Sequence, residues 1–384
     1  MSPMNSTLTK DQLALAEVTL DFTEEHLTPH AVAWDRDKHF PVDVLRKAAG
    51  LGLGGVYVRE ASGGSGLTRS DGALIFEVLA TGCPSIAGYL SIHNMVAWMI
   101  DRYGDEGQRV RRLPDLCSME ALGSYCLTEP GAGSDAAALR TRAERDGDHY
   151  VLNGVKQFIS GAGAAQVYVV MARTGGGGHD GISAFVVERD DPGLSFGPNE
   201  QKMGWNAQPT RQVILDDVRI PADRLLGAEG EGFRIAMSGL NGGRLGIAAC
   251  SLGGAQNALN RSLSYLADRE AFGAPLLDAQ ALRFRLADMA TELAAARALV
   301  RQAADALDRD DPQAPQLCAM AKRFATDTGY SIADRALQMH GGYGYLSEYG
   351  IEKIVRDLRV HQILEGTNEI MRVIVARGLT EVVR

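Results

Sequence analysis

The sequence predicts an α+β fold that is mostly α: a helical segment, a small β-domain and a second helical segment. Two changes in the spacing of apolar residues indicate this order, from helical to strand-like near residue 122 and back near residue 232. The length also favours several domains, because a chain of 384 residues is too long for one ordinary hydrophobic core and is expected to form two or three domains. We expect domains over residues 1–121, 122–232 and 233–384.

The first segment carries helix start signals. Thr9 and Gln12 have the spacing of a capping box, and apolar residues follow in steps of three and four. Further helices are expected over residues 42–49 and 70–80, with a glycine-rich loop between them.

The middle segment has the pattern of strands. β-Branched residues cluster at 167–171, 182–187 and 212–218. The pairs Asp146-Gly147 and Asn153-Gly154 are typical of hairpin turns, so both are predicted as turns between strands.

The last segment begins after the glycines around residue 231 and has the clearest helical pattern. Apolar residues in alternating steps of three and four predict a long packed helix that ends at Asp310-Asp311-Pro312. They are Leu286, Met289, Leu293, Ala296, Val300, Ala303 and Leu307. A second helix over about residues 317–339 should pack against it.

Charge and composition limit the partners. A net charge of −9 argues against nucleic acid or an anionic membrane, and no apolar run is long enough to span a bilayer. The five cysteines have no metal-ligand spacing, so we expect reduced thiols and no metal site. No signal or transit pattern opens the sequence, which favours a cytoplasmic location.

One carboxylate near the C-terminus has the surroundings of a catalytic base. Glu365 lies between the apolar Ile363-Leu364 and Gly366, so burial should raise its pKa, and the glycine leaves room for a substrate. The alternative is a plain helix start, with Thr367 or Asn368 as the cap.

Two further segments are suited to a flat ligand. Residues 125–135 form a donor-rich loop with two glycines, although a Pro-Gly-x-Gly loop is also an ordinary turn. In residues 154–163, strand alternation predicts Phe158 and Ser160 on one face, where an aromatic ring could stack on a heterocycle; a core Phe is the alternative. Neither segment has the spacing of a Rossmann or P-loop nucleotide site.

These segments, together with Lys202-Met203-Gly204-Trp205 and residues 269–273, 338–344 and 365–367, resemble the signatures of the acyl-CoA dehydrogenase family. The resemblance covers almost the whole chain, in the family's order. It implies a helical domain, a β-barrel domain and a four-helix bundle, assembled as a homotetramer that binds FAD. By position, the residues expected at the FAD are Tyr125, Leu127, Thr128, Gly133, Ser134, Phe158, Ile159, Ser160, Arg269, Phe272, Gln280, Gln338, Met339, His340, Gly341, Gly342, Thr367, Asn368 and Glu369. Those from 269 to 280 and from 338 to 342 would reach the cofactor across a subunit interface.

The resemblance also implies a reaction. Glu365 would remove the α-proton of an acyl-CoA thioester while the β-hydride leaves for the flavin, and electron-transfer flavoprotein would take the electrons. The main-chain N–H of Glu365 and a ribityl hydroxyl would stabilise the enolate charge. Residues expected at the substrate are Ser134, Asn241, Gly242, Gly243, Arg244, Gly366 and Arg377. For Arg244 and, above all, Arg377, an ion pair on a helix surface is the alternative.

The position of the base separates branches of this family, because some carry it on a bundle helix. Here that helix has glycine at position 243, so Glu365 is the matching candidate. The run Asn241-Gly242-Gly243-Arg244 resembles the isobutyryl-CoA branch, in which small residues would admit an α-methyl group, although helix glycines also serve close packing. Butyryl-CoA and 2-methylbutyryl-CoA stay open as substrates.

Two other functions stay open on the same fold. An acyl-CoA oxidase would let oxygen reach the reduced flavin, but such chains are usually much longer. A flavin-bearing protein that associates with nucleic acid would have little dehydrogenase activity, and both the acidic balance and Glu365 oppose it.

Overall fold

The computed structural model describes residues 8–381 and has the predicted order of helices, sheet and helices, which confirms the fold class. The N-terminal helices are α1 Lys10–His26, α2 Ala31–Asp37, α3 Val42–Ala49, α4 Arg69–Gly82, α5 Pro84–Tyr103 and α6 Glu106–Cys117. The C-terminal helices are α7 Gly232–Asp268, α8 Gln280–Asp308, α9 Ala314–Met339, α10 Ile351–His361 and α11 Asn368–Glu381. The bounds of the three domains stay a prediction.

The N-terminal helices begin where the sequence has capping residues. The Thr9 hydroxyl accepts a hydrogen bond from the main-chain N–H of Gln12, and the Gln12 side-chain oxygen accepts one from the main-chain N–H of Thr9. This is the predicted capping box. Thr68 and Asp71 form a second capping box on α4. Proline occupies the first position of α5, where its missing N–H has no helical partner to lose.

Eight strands form one sheet in the middle of the chain. They are β1 Gly123–Cys126, β2 Arg142–Asp146, β3 His149–Ser160, β4 Val167–Arg173, β5 Ile182–Glu188, β6 Leu194–Phe196, β7 Thr210–Pro221 and β8 Leu225–Leu226. The order is β6-β7-β3-β2-β4-β5-β8, with β1 parallel to β4. A separate short hairpin follows α7, built from β9 Glu270–Ala271 and β10 Ala274–Pro275.

One of the two predicted turns is confirmed and the other is wrong. Asp146 pairs with His149 across a tight turn between β2 and β3. The Asn153-Gly154 pair instead lies inside β3, where Gly154 has φ +153° at a bulge in the pairing with β7. Because β7 supplies a partner on both sides of this point, the glycine is absorbed as a bulge and the strand continues.

The C-terminal helices pack on one another and on the N-terminal helices. The predicted stripe on α8 is buried from Leu286 to Ala303, with Leu307 half-buried, and the helix ends at Asp308, two residues before the predicted stop. Helices α7, α8 and α9 pack together, and α10 and α11 pack on α9. Every helix within residues 8–381 is too short or too polar to cross a lipid bilayer.

A buried ion pair joins the N-terminal helices to the bundle. Arg297 on α8 donates through Nε to Glu77 on α4 at 2.7 Å, and through Nη2 to Gln256 on α7 at 3.0 Å. Both charged side chains are almost fully buried. Removing one partner of such a pair leaves an uncompensated charge in the interior.

We expect Glu77→Gln to lower the free energy of unfolding by about 3–5 kcal/mol, since the Arg297 charge loses its carboxylate while side-chain size is kept. Urea unfolding followed by circular dichroism measures the change. Glu292→Gln is the matched control, because the Glu292–Arg335 pair is partly exposed and should contribute less than about 1 kcal/mol. Equal losses in the two variants would contradict the importance of the buried pair.

Candidate active site

Glu365 lies in the short loop between α10 and α11, and its backbone is left-handed. Its φ is +56° and that of Gly366 is +93°. A non-glycine residue with positive φ is uncommon and persists where surrounding contacts hold it. Thr367 accepts a hydrogen bond from the main chain of Ile370 and so caps α11, as one of the two sequence interpretations predicts. A helix start and a glutamate with a left-handed backbone therefore occur in one loop.

Helix α7 passes directly beneath the Glu365 carboxylate. A Cβ atom built on Gly243 would lie 2.7 Å from Oε2 of Glu365, closer than real Cβ contacts. Any larger residue at 243 would therefore displace the carboxylate. The neighbouring Gly242 faces elsewhere, because its built Cβ would lie 2.5 Å from Nη1 of Arg69. The two adjacent glycines thus accommodate two different neighbours.

The two arginines predicted at the substrate lie in different surroundings, one buried and one exposed. Arg244 is buried; its Nε donates to the carbonyl oxygen of Glu365 at 3.2 Å and its Nη1 to Oδ1 of Asn241 at 2.9 Å. Arg244 therefore holds the main chain of the loop. Arg377 is exposed on α11, and its carbonyl oxygen accepts a hydrogen bond from Thr380.

A buried lysine on α9 holds the other side of the loop. Lys322 Nζ donates to the carbonyl oxygen of Gly366 at 2.8 Å and to Oδ1 of Asn368 at 3.0 Å. The Asn368 amide nitrogen donates to Thr326 and Asp327 on the same helix. The main-chain N–H of Asn368 donates to the carbonyl oxygen of Gln362 at 3.0 Å, so Asn368 holds the loop against α9.

The electrostatics of the loop favour a carboxyl group that titrates near neutrality. Burial raises the pKa of Glu365 to about 7, and the charges of Arg244 and Lys322 oppose that rise. Burial also lowers the pKa of Lys322 to about 7, with the Glu365 charge acting against the shift. Oε2 of Glu365 is buried and has no hydrogen-bond partner among the described residues. A base of this kind can take a proton from a ligand beside it.

The predicted cofactor loop lies against the end of β3. The main-chain N–H of Gln157 donates to the carbonyl oxygen of Thr128 at 2.8 Å. The buried Lys156 donates to the carbonyl of Leu127 at 3.1 Å and to Glu129 at 2.8 Å. Glu129 also accepts main-chain hydrogen bonds from residues 140 and 141. One buried ion pair therefore fixes the loop to the strand.

Phe158 presents an exposed aromatic ring next to this loop. The pairing of β3 with β7 shifts between Lys156 and Ile159, and Phe158 has φ +59° with 64% of its surface exposed. The prediction that Phe158 and Ser160 lie on one face stays a prediction. Ile159 is buried, while Ser160 is half-buried and its carbonyl accepts from Ser124 at 2.7 Å.

The loop beside Phe158 leaves its surface open. Cβ atoms built on Gly131 and Gly133 would meet nothing within 4 Å, and Ser134 is exposed. An open loop of main-chain donors, hydroxyls and a flat aromatic side chain matches what a planar heterocycle requires. The residues present fit a flavin ring.

Tyr125 connects this surface to the base. It packs, with Leu364, against the cluster that contains Trp205. Its hydroxyl is buried without a hydrogen-bond partner in the described chain, and burial, reinforced by the Glu365 charge, raises its pKa well above the usual value. Tyr125 therefore stands between the open loop and Glu365.

A second group of predicted cofactor residues lies around the far end of α9. It comprises Arg269, Phe272, Gln280, Gln338, Met339, His340, Gly341 and Gly342. Lys322 and Met339 are about 25 Å apart along the axis of α9, at about 1.5 Å per residue. A single chain therefore does not bring this group to Glu365.

The second group is largely exposed. Phe272 is fully exposed in the turn between β9 and β10, and the Arg269 guanidinium lies 5.6 Å from the ring centroid of Tyr343. His340 is buried, stacks on Tyr265 at 4.4 Å between centroids and binds the carbonyl of residue 336. Gln338, Gly341 and Gly342 are exposed, whereas Met339 is buried.

Sequence reasoning missed Lys322 as a site residue. Its signal was its place in an otherwise apolar stripe on α9, four residues after Cys318 and three before Ala325, both buried. A lysine at such a position needs a polar partner, which identifies it as a residue with a specific role. No cluster of metal-binding side chains occurs within residues 8–381.

Comparison with known proteins gives matches along the chain. Three family models match: acyl-CoA dehydrogenase N-terminal domain over residues 9–120, middle domain over 124–218 and C-terminal domain over 230–380. The mitochondrial isobutyryl-CoA dehydrogenase of Bos taurus is 54% identical over 97% of this chain and 90% of its own.

Solved structures of acyl-CoA dehydrogenases superpose on this chain over almost its whole length. The butyryl-CoA dehydrogenase of Megasphaera elsdenii superposes with a TM-score of 0.95 and 38% identity, covering 98% of this chain and all of the other. A glutaryl-CoA dehydrogenase from Mycobacterium smegmatis, solved in complex with FADH2, has a TM-score of 0.94 and 30% identity, covering 99% and 97%. With three domain matches in register and a relative above half identity, the chain belongs to the acyl-CoA dehydrogenase family.

Proposed function

We propose that this protein is an FAD-dependent dehydrogenase of a short, branched acyl-CoA, with isobutyryl-CoA as the preferred substrate and methacrylyl-CoA as the product, a step of valine breakdown. The observation that carries the proposal is the buried Glu365 carboxylate, which has a free Oε2, a raised pKa and glycine 243 beneath it. The similarity to isobutyryl-CoA dehydrogenase supports the choice of substrate.

In this proposal the chain holds FAD between Phe158 and the loop of residues 125–134. Thr128 and Ser134 offer hydroxyls, the open glycines let the main chain approach, and Phe158 covers one face of the ring. When bound, FAD supplies the hydride acceptor for the substrate's β-carbon. The loop is rigid enough for this task because the Lys156–Glu129 pair anchors it.

Glu365 removes the α-proton in its carboxylate form. An α-proton of a thioester is too weakly acidic for an ordinary carboxylate, so charge developing on the thioester oxygen needs a donor, and we assign the main-chain N–H of Glu365. One such preorganised donor contributes roughly 3 kcal/mol to the transition state. Arg244 and Lys322 keep that N–H in place by holding the carbonyls of Glu365 and Gly366.

Gly243 on α7 makes room for the Glu365 carboxylate itself, because a side chain at this position would collide with it. Gly242 contributes less than its place in the sequence indicates, because it faces Arg69. Butyryl-CoA and 2-methylbutyryl-CoA are the alternative substrates.

The second group of cofactor residues supports a homo-oligomer, and we propose a homotetramer. In it, Phe272, Arg269, Gln280 and residues 338–342 of one subunit, most of which are exposed in the single chain, contact the FAD of another. An exposed phenylalanine at a turn is costly in water and is typical of a contact surface. Electron-transfer flavoprotein is the proposed electron acceptor, on the family resemblance.

We expect isobutyryl-CoA to bleach the flavin fastest among four thioesters, because the chain is 54% identical to an isobutyryl-CoA dehydrogenase over 97% of its length. Anaerobic titration with isobutyryl-, butyryl-, 2-methylbutyryl- and isovaleryl-CoA, followed by flavin absorbance, measures the order. Faster bleaching by butyryl-CoA would replace the branched substrate with a straight one. Rapid turnover in air without an acceptor would instead indicate an oxidase.

Glu365→Gln should lower the rate of bleaching about 10²–10⁴-fold, since an amide cannot accept the α-proton. Stopped-flow absorbance under anaerobic conditions measures the rate, and flavin content confirms an intact site. Glu348→Gln, an exposed carboxylate on the same third of the chain, is the control and should behave as wild type. Wild-type rates in Glu365→Gln would disprove the assignment of the base.

The rate of α-proton removal should rise with pH and level off above about pH 7. Burial raises the pKa of Glu365 to about 7, so the carboxylate form is lost below that value and the rate falls about tenfold per unit. Lys322→Gln should move the midpoint to higher pH, because the Lys322 charge lowers the Glu365 pKa. A flat profile between pH 6 and 8.5 would contradict the titration of Glu365.

A further inference from the structure

Trp205 is the centre of a small apolar cluster beside the base, which we call the indole wall. The cluster consists of Ile92, Trp205 and Ile247, with Tyr125, Val360 and Leu364 packed against it. Only 3% of Trp205 is exposed. Leu364 directly precedes Glu365 in the chain, so the indole wall borders the base loop.

Helix α7 fixes the distance between the indole wall and the base. Gly243 faces Glu365, and Ile247 packs on Trp205. Residues four apart share one face of a helix and are separated by about 6 Å along its axis. Ile247 therefore lies about one helical turn along α7 from Gly243, the residue that faces the carboxylate.

Hydrogen bonds hold the indole in place. The main-chain N–H of Trp205 donates to Asp357 at 2.7 Å, and Nε1 donates to Nε2 of His361 at 3.2 Å. An indole can only donate, so His361 Nε2 accepts, and the Nδ1–H donates to Ser251 Oγ at 2.7 Å. Burial lowers the pKa of His361 to about 3, which keeps the ring neutral for this role.

Buried partners complete this support. Asp357 is paired with Lys353 at 2.6 Å, both fully inside the protein. Ser251 donates in turn to the carbonyl oxygen of Ile247 at 2.9 Å, within the indole wall itself. Trp205 also has φ +56°, an uncommon value for a bulky residue. Such a network holds the ring in one orientation.

Helix α5 has a glycine, Gly88, at the point where the indole ring contacts it. A Cβ atom built on Gly88 would lie 2.4 Å from both Cη2 and Cζ2 of Trp205. The indole occupies the volume that any side chain at position 88 would take. Its edge is thus wedged against helix backbone and cannot retreat to lengthen the space next to Glu365.

We propose that Trp205 sets the acyl-chain length of this enzyme by closing the end of the pocket beside Glu365, with Gly88 making room for the ring. The proposal rests on the proposed dehydrogenase function and adds its specificity-determining residue. Chains of the size of isobutyryl fit in front of the indole wall, whereas straight chains of six carbons meet the ring.

Trp205→Leu tests the wall, and Trp34→Leu is the matched control because Trp34 is also buried but lies on α2 among histidines. The readout is the ratio of kcat/KM for hexanoyl-CoA to that for isobutyryl-CoA, measured on flavin-loaded protein. We expect the ratio to rise about tenfold or more in Trp205→Leu, since added methylenes gain a pocket. It should stay unchanged in Trp34→Leu.

Gly88→Ala tests the role of the same ring by adding a methyl group on α5, where the ring contacts the helix. Alanine suits a helix, so the fold should tolerate it, but its methyl group must push the indole toward the pocket. The ratio of kcat/KM for propionyl-CoA to that for isobutyryl-CoA should rise. This variant decides the matter if Trp205→Leu fails to retain flavin.

The outcomes separate the two proposals. A wild-type protein whose flavin no acyl-CoA bleaches contradicts the proposed function. A wild-type protein that prefers hexanoyl-CoA, or unchanged ratios in Trp205→Leu and Gly88→Ala while isobutyryl-CoA still bleaches the flavin, overturns the role of Trp205 alone.

Discussion

Lys322 donates from the interior of α9 to the carbonyl of Gly366 and to the side chain of Asn368, while Arg244 donates from α7 to the carbonyl of Glu365. These hydrogen bonds hold a loop whose backbone would otherwise relax from its left-handed conformation. The position of the carboxylate over Gly243, its burial and its raised pKa all follow from that restraint. Two basic residues on helices, Arg244 and Lys322, therefore fix the position of the Glu365 carboxyl group by holding its loop.

The site keeps polar atoms that ordinary folding would satisfy. Tyr125 Oη and Glu365 Oε2 are both buried without a hydrogen-bond partner among the described residues. A buried polar group left unpaired costs about 1–3 kcal/mol, so the rest of the fold must offset this cost. The apolar packing of α7 against α4 and α9 provides such stability. Stability elsewhere in the chain supports an unfavourable arrangement at the site.

Local signals predicted most of the fold and part of the site. The capping box at Thr9, the stripe on α8 and the Thr367 cap depend on residues three or four apart, which the sequence displays directly. Contacts between distant residues were not visible in this way. The approach of Gly243 to Glu365, across more than a hundred residues, depends on how α7 passes under the loop.

The wrong turn prediction at Asn153-Gly154 and the missed Lys322 also depend on contacts between residues that are far apart in the sequence. Asn153-Gly154 has the composition of a turn, but pairing with a long neighbouring strand overrode that local preference. Lys322 was overlooked because its partners come from the loop before α11, which no spacing on α9 reveals. Resemblance to the family supplied the roles that pattern alone did not.

The contact between α7 and the loop also limits how such a site can evolve. A glutamate at 243 would start its side chain only 2.7 Å from the oxygen of Glu365. Real Cβ atoms do not approach an oxygen that closely, so a side chain at 243 and the Glu365 carboxylate cannot occupy their places together. The scaffold can therefore carry its base on the helix or on the loop, but not on both. A lineage that moves the base from one element to the other must pass through a sequence in which the first carboxylate is already gone.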